Sequence, residues 1–366
     1  VDSLAAIENI TGSSNNDVLY GNGVANILIG NAGNDSISGG AGSDTMDGGL
    51  GIDDLRFDDL TGQGITLNLG AQTAFYAVDG STDTFTGFEN YYATNQDDTI
   101  IGSAAADIIF GLAGKDTFNA TSGTDTLDGG ADIDTIDYSA LGSINFITVT
   151  LDGANAVTVD VDGGDDDSIV NIENVTGSAG NDFITGDEFV NVLRGSAGDD
   201  TIRGGGGDDD LDGGAGTDTV RFDDLTGTGI ALDIAAGTAF YAGDGTTDTL
   251  ANFEIYYVSN QDDVITGSAN ADTVFALGGN DTFNASAGND VLDGGAGTDI
   301  VSYEALTDIN FITVNLNGAV ASTIVVDGGD DADTYGVVAG AATWAAGIPP
   351  FGFDDGLQAG EALDLY

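Results

Sequence analysis

The chain has 366 residues, of which 62 are Asp or Glu and only 5 are Lys or Arg, so its net charge is −57. Such an excess of carboxylates opposes compaction unless cations neutralise it, and it makes nucleic acids and anionic membranes poor partners. Hydrophobic residues nevertheless form 41% of the chain, which is too many for an acidic disordered tail.

A nine-residue frame begins near the N-terminus and is clearest from Gly30, where GNAGNDSIS, GGAGSDTMD and GGLGIDDLR follow one another without a gap. Each approximates G-G-x-G-x-D-x-U-x, in which U is apolar. Gly permits a tight turn with positive φ, Asp supplies a hard oxygen, and U points inward from a short strand. Each frame therefore predicts a turn followed by a short strand.

Five such frames follow one another in each of four blocks, at residues 12–56, 93–137, 177–221 and 258–302. The sixth residue of every frame is an acid or an amide, which makes it a candidate metal ligand. These residues are Asp17, Asn26, Asp35, Asp44, Asp53, Asp98, Asp107, Asp116, Asp125, Asp134, Asp182, Asn191, Asp200, Asp209, Asp218, Asp263, Asp272, Asp281, Asp290 and Asp299. The eighth residue is apolar in all twenty frames, so the nine-residue frames keep the same register in all four blocks.

Three spacers separate the blocks, at residues 57–92, 138–176 and 222–257. Ile65, Leu67 and Leu69 alternate with polar residues and predict a half-buried strand. Residues 145–151 and 157–161 predict a hairpin around an Asp-Gly pair. A 36-residue spacer could continue the winding for two 18-residue coils, whereas the 39-residue spacer requires a bulge or a loop. The acidic run at 165–167 is expected to be solvated loop charge.

The chain repeats itself at a constant offset of 165 residues. IENITGSSNND from Ile7 returns as IENVTGSAGND from Ile172, and later segments keep the same offset. We therefore expect a first repeat copy at 1–171, a second at 172–336, and a non-repeat tail at 337–366. The tail is expected to cap the solenoid, to mediate assembly or to act as a secretion signal.

Two frames make an 18-residue coil, so the pattern predicts an all-β, right-handed solenoid in which frame i lies over frame i+2. The Asp of one turn and carbonyl oxygens of its neighbour can then enclose Ca²⁺, which takes six to eight oxygens. Three stacked pairs per block predict about twelve ions. Zinc and copper lack their usual ligands, because the chain has no Cys or His. Glu8, Glu89, Glu173 and Glu254 precede the blocks, and either ligate an ion or cap the block.

The frames resemble the RTX family, the hemolysin-type calcium-binding repeats that form a parallel β-roll. The resemblance covers all four blocks and the IENI, FENY, IENV and FEIY segments before them. It implies secretion by a type I machinery, with folding in millimolar extracellular calcium. Asn26 and Asn191 depart from the motif, as do GSAAADIIF and ATSGTDTLD, which lack turn glycines, so weak or empty sites are expected there.

Three functions remain open. The first is a rod-like, self-assembling component of a surface layer, filament or adhesin stalk, either a homo-oligomer or a head-to-tail polymer, that does not insert into membranes. The second is the C-terminal folding and secretion module of a larger exoenzyme or toxin. The third, ice or glycan binding, is weak because no regular outward Thr ladder is visible. Catalysis is not expected, since the chain has no imidazole base or thiolate.

Overall fold

The computed structural model describes residues 6–142, 146–162 and 164–303, and the backbone of 311–313, 322–327 and 332–336. Every regular element in these residues is a β-strand. Within the same part of the chain, nothing forms a helix long and apolar enough to cross a membrane. The predicted tail at 337–366 lies outside the described residues.

Most strands have three residues, as expected for a frame that spends six residues on its turn. The segment before the first block contains β1 Asn9–Thr11, and the first block and spacer contain β2 Val18–Tyr20, β3 Ile27–Ala32, β4 Ser36–Ser38, β5 Thr45–Leu50, β6 Asp54–Arg56, β7 Ile65–Asn68, β8 Thr73–Tyr76, β9 Thr82–Thr86 and β10 Asn90–Tyr92. The second block and spacer contain β11 Thr99–Ile101, β12 Ile108–Phe110, β13 Thr117–Asn119, β14 Thr126–Asp128, β15 Thr135–Asp137, β16 Ile147–Thr150, β17 Val157–Val161, β18 Asp167–Val170 and β19 Asn174–Thr176.

The second half repeats this order. The third block and spacer contain β20 Phe183–Thr185, β21 Val192–Arg194, β22 Thr201–Arg203, β23 Asp210–Asp212, β24 Thr219–Arg221, β25 Ile230–Asp233, β26 Thr238–Tyr241, β27 Thr247–Ala251 and β28 Ile255–Tyr257. The remaining strands are β29 Val264–Thr266, β30 Thr273–Phe275, β31 Thr282–Asn284, β32 Val291–Asp293, β33 Ile300–Ser302, β34 Phe311–Thr313, β35 Ser322–Asp327 and β36 Ala332–Gly336.

The chain divides into two compact units. The first comprises residues 1–222 and 246–255, and the second comprises 223–245 and 256–366. Position 172, where the second sequence copy begins, lies inside the first unit.

In the first unit, successive frames alternate between two sheets, and each strand pairs in parallel with the strand 18 residues away. Thus Ile10 pairs with Leu28 in one sheet, and Leu19 pairs with Ile37 in the other. The second unit repeats the arrangement, for example between β29 and β31. The predicted parallel β-roll of nonapeptide repeats is confirmed.

The core lies between the sheets and consists of the eighth residue of each frame. These side chains are at most 8% exposed, from Leu19 in the first frame to Leu292 in the nineteenth. Only Val301, in the last frame, is half-buried. The seventh and ninth residues point outward because side chains alternate along a strand.

The 36-residue spacer does not continue the winding, so that prediction is wrong. Its strands β7, β8 and β9 form an antiparallel S inserted into one sheet, with β9 beside β5 and β7 beside β11. In the other sheet β6 pairs directly with β10. The chain reverses near Gln72 and Gly80, which have left-handed φ values of 57° and 73°.

The 39-residue spacer makes the same S in the opposite sheet. The predicted hairpin is confirmed, since β16 and β17 pair antiparallel from Ile147 opposite Val161. Strand β17 also pairs antiparallel with β18, and β18 returns to lie parallel beside β14. The half-buried strand predicted from Ile65 and Leu67 is likewise confirmed as β7, with both side chains inside.

Candidate metal centres along the turns

The sixth residues of the frames lie in columns between successive turns. Eighteen of the twenty are buried, and Asp17 and Asp299 at the two ends are half-buried. In all twelve stacked pairs, the backbone N–H of one sixth residue donates to Oδ1 of the sixth residue one coil later, at 2.7–3.1 Å. Each pair of successive coils is therefore joined through an acidic side chain.

The second oxygen of the sixth residue distinguishes a group of nine frames and a group of eight; Asp125, Asp290 and Asp299 belong to neither. In nine frames Oδ2 is buried and accepts no hydrogen bond; these acids are Asp35, Asp44, Asp53, Asp116, Asp134, Asp200, Asp209, Asp218 and Asp281. We call these the open acids. A buried acceptor without a partner costs about 1–3 kcal/mol, and more when it carries a charge. Nine such oxygens at the same position of the frame fit a cationic partner.

In the first two frames of every block, the sixth residue is instead capped within its own turn. The second residue of the frame donates its N–H to the acid or amide, as Ser178 does to Oδ2 of Asp182 at 2.6 Å. The same bond occurs at Asp17, Asn26, Asp98, Asp107, Asn191, Asp263 and Asp272. We call these the capped frames.

The conformation of the second residue separates the groups. It has a left-handed φ in ten frames, at Asn31, Gly40, Gly49, Leu112, Gly130, Ser196, Gly205, Gly214, Leu277 and Gly295. Nine of these frames carry the nine open acids, and the tenth carries the half-buried Asp299. A left-handed second residue turns its N–H away from the acid. Leu112 and Leu277 adopt φ of 80° and 66°, which costs a residue with a Cβ about 1–2 kcal/mol.

Burial opposes ionisation of the open acids. Desolvation raises the pKa of Asp116 to about 8, against the favourable backbone hydrogen bond from Asp98. It likewise raises the pKa of Asp134, Asp200 and Asp209 to about 7. A bound dication would reverse this, because an adjacent positive charge favours the ionised form.

Main-chain carbonyl oxygens converge on the open acids. A Cβ placed on Gly30 would lie 2.3 Å from Oδ2 of Asp35 and 2.5 Å from the carbonyl oxygen of Gly48, one coil later. Gly195 is bordered in the same way by Asp200 and Gly213, at 2.2 and 2.4 Å. The two oxygens of each pair are thus less than about 5 Å apart, a separation that two ligands of one Ca²⁺ ion can span.

These donors fit a hard cation. Among the described residues, no three acidic side chains gather at one point, so each site combines an acid with main-chain oxygens. Carboxylate and carbonyl oxygens are the ligands that Ca²⁺ takes, in flexible geometry, whereas Mg²⁺ needs a tighter octahedron. The open acids are therefore the residues that would hold calcium.

The four frames with weakened motifs are absent from the group of open acids. Asn26, Asn191 and Asp107 are capped by their own second residues. Asp125 has Oδ1 bound by the N–H of Asp107, and the hydroxyl of Thr121, its second residue, donates to Ser103.

The Glu residues that precede the blocks end the acidic columns. Oε2 of Glu89, Glu173 and Glu254 accepts the N–H of Asp53, Asp134 and Asp218 respectively, each at 2.8 Å. Each Glu thus takes the place of the sixth residue of a further frame. Glu89, Glu173 and Glu254 therefore cap the columns, and the ligand role that was left open for the four Glu residues stays a prediction.

Three spacer acids also belong to the columns and were missed from the sequence. Asp83, Asp167 and Asp248 are at most 1% exposed, and they accept the N–H of Asp44, Asp125 and Asp209. The expectation that the run at 165–167 is solvated is wrong for Asp167. A signal existed, because all three sit two residues before an apolar strand residue, as frame acids do; the glycines before them fill at most one of the three glycine positions of the frame.

Two of these spacer acids accept a hydrogen bond from a tyrosine hydroxyl. The hydroxyl of Tyr76 donates to Oδ2 of Asp83 at 2.9 Å, and that of Tyr138 donates to Oδ2 of Asp167 at the same distance. Burial raises the pKa of Tyr138 well above its ordinary value, so the phenol keeps its proton. At these positions a neutral donor occupies the place that a cation would take in an open frame.

A Thr column is present in the first copy, contrary to the expectation of none. Thr66, Thr99, Thr117 and Thr135 pair in register on the outer face of neighbouring strands. Because β7 is inserted beside β11, Thr66 lies opposite Thr99 and extends the column; the spacing of the frames did not predict this pairing. In the second copy the corresponding residues are Ala231, Val264, Thr282 and Ile300, so the column is not repeated.

Comparison with known proteins agrees with this geometry. The profile of the RTX calcium-binding nonapeptide repeat (4 copies) matches residues 5–23, 20–55, 83–118, 92–127, 119–137, 171–188, 185–220, 254–283 and 275–309, which together are more than half of the chain. No curated protein sequence matches the chain significantly.

Among solved structures, the chain is similar to the extracellular lipase LipA from Serratia marcescens, with 16% sequence identity and a TM-score of 0.21. The alignment covers 70% of this chain and 39% of the lipase chain. The chain thus spans well under half of that protein.

Proposed function

Because the chain belongs to the RTX calcium-binding nonapeptide repeat family, we propose that it folds on calcium outside the cell and serves there as a structural component of a surface layer, filament or adhesin stalk. The observation that carries the proposal is the array of nine buried Oδ2 atoms without hydrogen-bond donors. A bound cation would give each of these oxygens the positive partner that no hydrogen-bond donor supplies.

The charge of the chain supports the dependence on calcium. With a net charge of −57, the unfolded chain repels itself, and winding it brings acids of successive coils still closer together. Millimolar calcium is found outside the cell and not in the cytosol, so the chain would leave the cell unfolded and wind after export. A type I secretion machinery suits a substrate that stays unfolded until it is exported.

The use of the described residues supports a structural role. Frames and spacer strands account for nearly all of them, and their side chains either fill the core or line the turns. We expect no catalysis, because the chain has no His or Cys, and no insertion into membranes. Its acidic surface repels nucleic acids and anionic lipids.

The alternative is a carrier role, as the folding and secretion module of a larger exoenzyme or toxin. The same calcium-driven winding would serve that role, so the sites do not separate the two proposals. Intact-mass measurement of the polypeptide secreted by its native source would separate them. Additional mass with His or Cys residues supports the carrier, and a mass equal to the sum of these 366 residues supports the structural role.

Circular dichroism during calcium titration tests the proposal directly. We expect a disordered spectrum in chelator and a β-rich spectrum in millimolar calcium, with a cooperative transition between them. Magnesium at the same concentration serves as the control and should not substitute, because it resists losing water. A chain fully wound in chelator would overturn the proposal.

A further inference from the structure

We propose that Asp187, the second residue of the Asn191 frame, holds a calcium ion at a position where the nonapeptide motif provides no acid. The ion would lie between the turn of this frame and the preceding coil, which carries Glu173. It would add one to the ions at the open acids. This inference rests on the proposed function, since only the wound chain brings these residues together.

The eight capped frames share a second hydrogen bond within the turn. In each, the side-chain oxygen of the second residue accepts the N–H of the fourth, as Oγ of Ser178 does from Gly180 at 3.0 Å. The same bond occurs at Ser13, Asn22, Thr94, Ser103, Asp187, Ser259 and Ser268. Seven of these eight side chains are neutral, so the turn itself does not require a carboxylate.

Asp187 differs from the other seven because its side chain carries a charge and a second oxygen. Its Oδ1 accepts the N–H of Phe189 at 2.8 Å and forms the turn bond. Its Oδ2 is buried and accepts no hydrogen bond. Within the part of the chain that the structure describes, it is the only such carboxylate oxygen outside the sixth position of a frame. A buried charged acceptor without a partner is unfavourable, so this oxygen fits a cation.

The frame of Asp187 has its acid at the second position instead of the sixth. Its sixth residue is Asn191, which is 0% exposed and whose Oδ1 accepts the N–H of Asp187 at 2.9 Å. The corresponding frame of the first copy has Asn22 and Asn26 at these two positions. The second copy alone thus has a buried carboxylate oxygen in its amide frame.

Three segments border Oδ2 of Asp187. A Cβ placed on Gly153, in the turn between β16 and β17, would lie 3.5 Å from this oxygen. The carbonyl oxygen of Gly153 accepts the N–H of Asn171, in the coil that carries Glu173. The side chain of Asn191 donates to the carbonyl oxygen of Glu173 at 2.8 Å. The hairpin turn, the coil of Glu173 and the Asn191 frame therefore meet at Asp187.

Acids of both neighbouring coils experience the charge of Asp187. Burial raises the pKa of Glu173, and the charge of Asp187 raises it further. Burial raises the pKa of Asp209 to about 7, with a smaller contribution from Asp187. Asp209 is 2% exposed, and its Oδ2 has no hydrogen-bond donor. Arg194, the cation of the same frame, pairs with two acids of β23 instead.

Calcium is the ion that fits these donors. It accepts six to eight carboxylate, carbonyl and water oxygens in flexible geometry, whereas magnesium needs a tighter octahedron. Asp187 and Glu173 belong to different coils, so an ion between them would join the two coils. It would do so where the acidic column has the amide Asn191, at the junction of the two sequence copies.

Asp187→Ser tests the site, because serine keeps the turn bond and removes the second oxygen. Serine fills this position in five other capped frames, at Ser13, Ser103, Ser178, Ser259 and Ser268. Counted by native mass spectrometry of the 366-residue chain at saturating calcium, the variant should bind one ion fewer. Glu188→Gln is the matched control, since the adjacent Glu188 is exposed; this variant should keep the natural count.

A double variant separates the position of the acid from the charge of the frame. Asp187→Ser/Asn191→Asp keeps the net charge and reproduces Ser178 and Asp182 of the preceding frame. There the acid is bonded within its own turn, so the double variant should also bind one ion fewer. A full count would show that the charge of the frame holds the ion, and it would overturn the assignment to Asp187.

Circular dichroism of the same samples separates this inference from the proposed function. If the natural chain winds on calcium but Asp187→Ser keeps its ion count, or Glu188→Gln loses an ion as well, the Asp187 site is wrong and calcium folding stands. If calcium changes neither the spectrum nor the ion count of the natural chain, the proposed function itself fails. Should the serine variant not wind, Asp187→Asn, which copies Asn22, gives the same test and should also lose one ion.

Discussion

Replacing one open acid by its amide should remove one calcium ion. Asp200 suits this test, because Oδ2 is buried without a donor and Oδ1 receives the N–H of Asp182. Asp200→Asn keeps the shape and the Oδ1 acceptor and removes the charge. Asp107→Asn is the matched control, since both oxygens of Asp107 are already bound by Ser103 in its own turn.

The magnitude follows from the pKa and from linkage. Burial raises the pKa of Asp200 from 3.8 to about 7, so keeping it ionised without calcium costs about 4 kcal/mol above pH 7. Asp200→Asn removes up to that cost from the calcium-free fold. At calcium a hundredfold above the dissociation constant, losing the ion removes about 2.7 kcal/mol of stabilisation.

Native mass spectrometry in calcium provides the count, and urea unfolding with and without calcium provides the free energies. We expect Asp200→Asn to carry one ion fewer and to lose about 3 kcal/mol of calcium-dependent stability, whereas Asp107→Asn keeps the natural count. For the natural chain, the ten frames with a left-handed second residue predict about ten ions rather than twelve. If Asp107→Asn loses an ion and Asp200→Asn does not, the distinction between open and capped frames is refuted.

Three further outcomes are expected. In chelator, lowering the pH from 8 to 5.5 should increase β-structure measured by circular dichroism. Burial raises the folded-state pKa of Asp116 to about 8 and the pKa values of Asp134, Asp200, Asp209 and Asp281 to about 7, so the folded calcium-free chain is favoured at low pH and loses stability as the pH rises through these values; an unchanged spectrum would contradict this. Gly216→Ala should lower the thermal midpoint in calcium by several degrees, since its Cβ would lie 1.8 Å from a carbonyl oxygen, whereas Gly23→Ala meets nothing within 4 Å and should be neutral. Tyr138→Phe should destabilise the wound chain by about 1–3 kcal/mol in urea unfolding, because it strands the second oxygen of Asp167; the exposed Tyr20→Phe should change little, and equal effects would argue against the buried bond.

The regular part of the fold follows from the sequence because its period is set by local chemistry. Glycine turns and an apolar eighth residue recur every nine residues, so Leu28 and Met46 could be placed in the core and opposite each other. The spacers could not be derived this way. Their length allowed two more coils, but turns near Gln72 and Gly80 reverse the chain, and no spacing rule contains that reversal.

The division of the sites is only partly visible in the sequence. Gly at the second position, as in GGAGSD, permits the left-handed turn of an open frame. Serine at the second position is compatible with either kind of frame. Ser178 in GSAGND caps Asp182, whereas Ser196 in GSAGDD has a left-handed φ and leaves Asp200 an open acid. Ser196 stacks on a turn that precedes it in the column, and its hydroxyl donates to the Gly177 carbonyl. The two serines thus differ in the coil on which they stack, and the frame itself does not encode that difference.

The phenol hydroxyls of Tyr76 and Tyr138 bond the last acid of one column in each block of the first copy, whereas the other column ends at Glu89 or Glu173. The phenols keep their protons when calcium becomes scarce. Asp83 and Asp167 would therefore keep these hydrogen bonds while neighbouring turns lose their ions. These two hydrogen bonds would consequently serve as anchors from which rewinding starts when calcium returns.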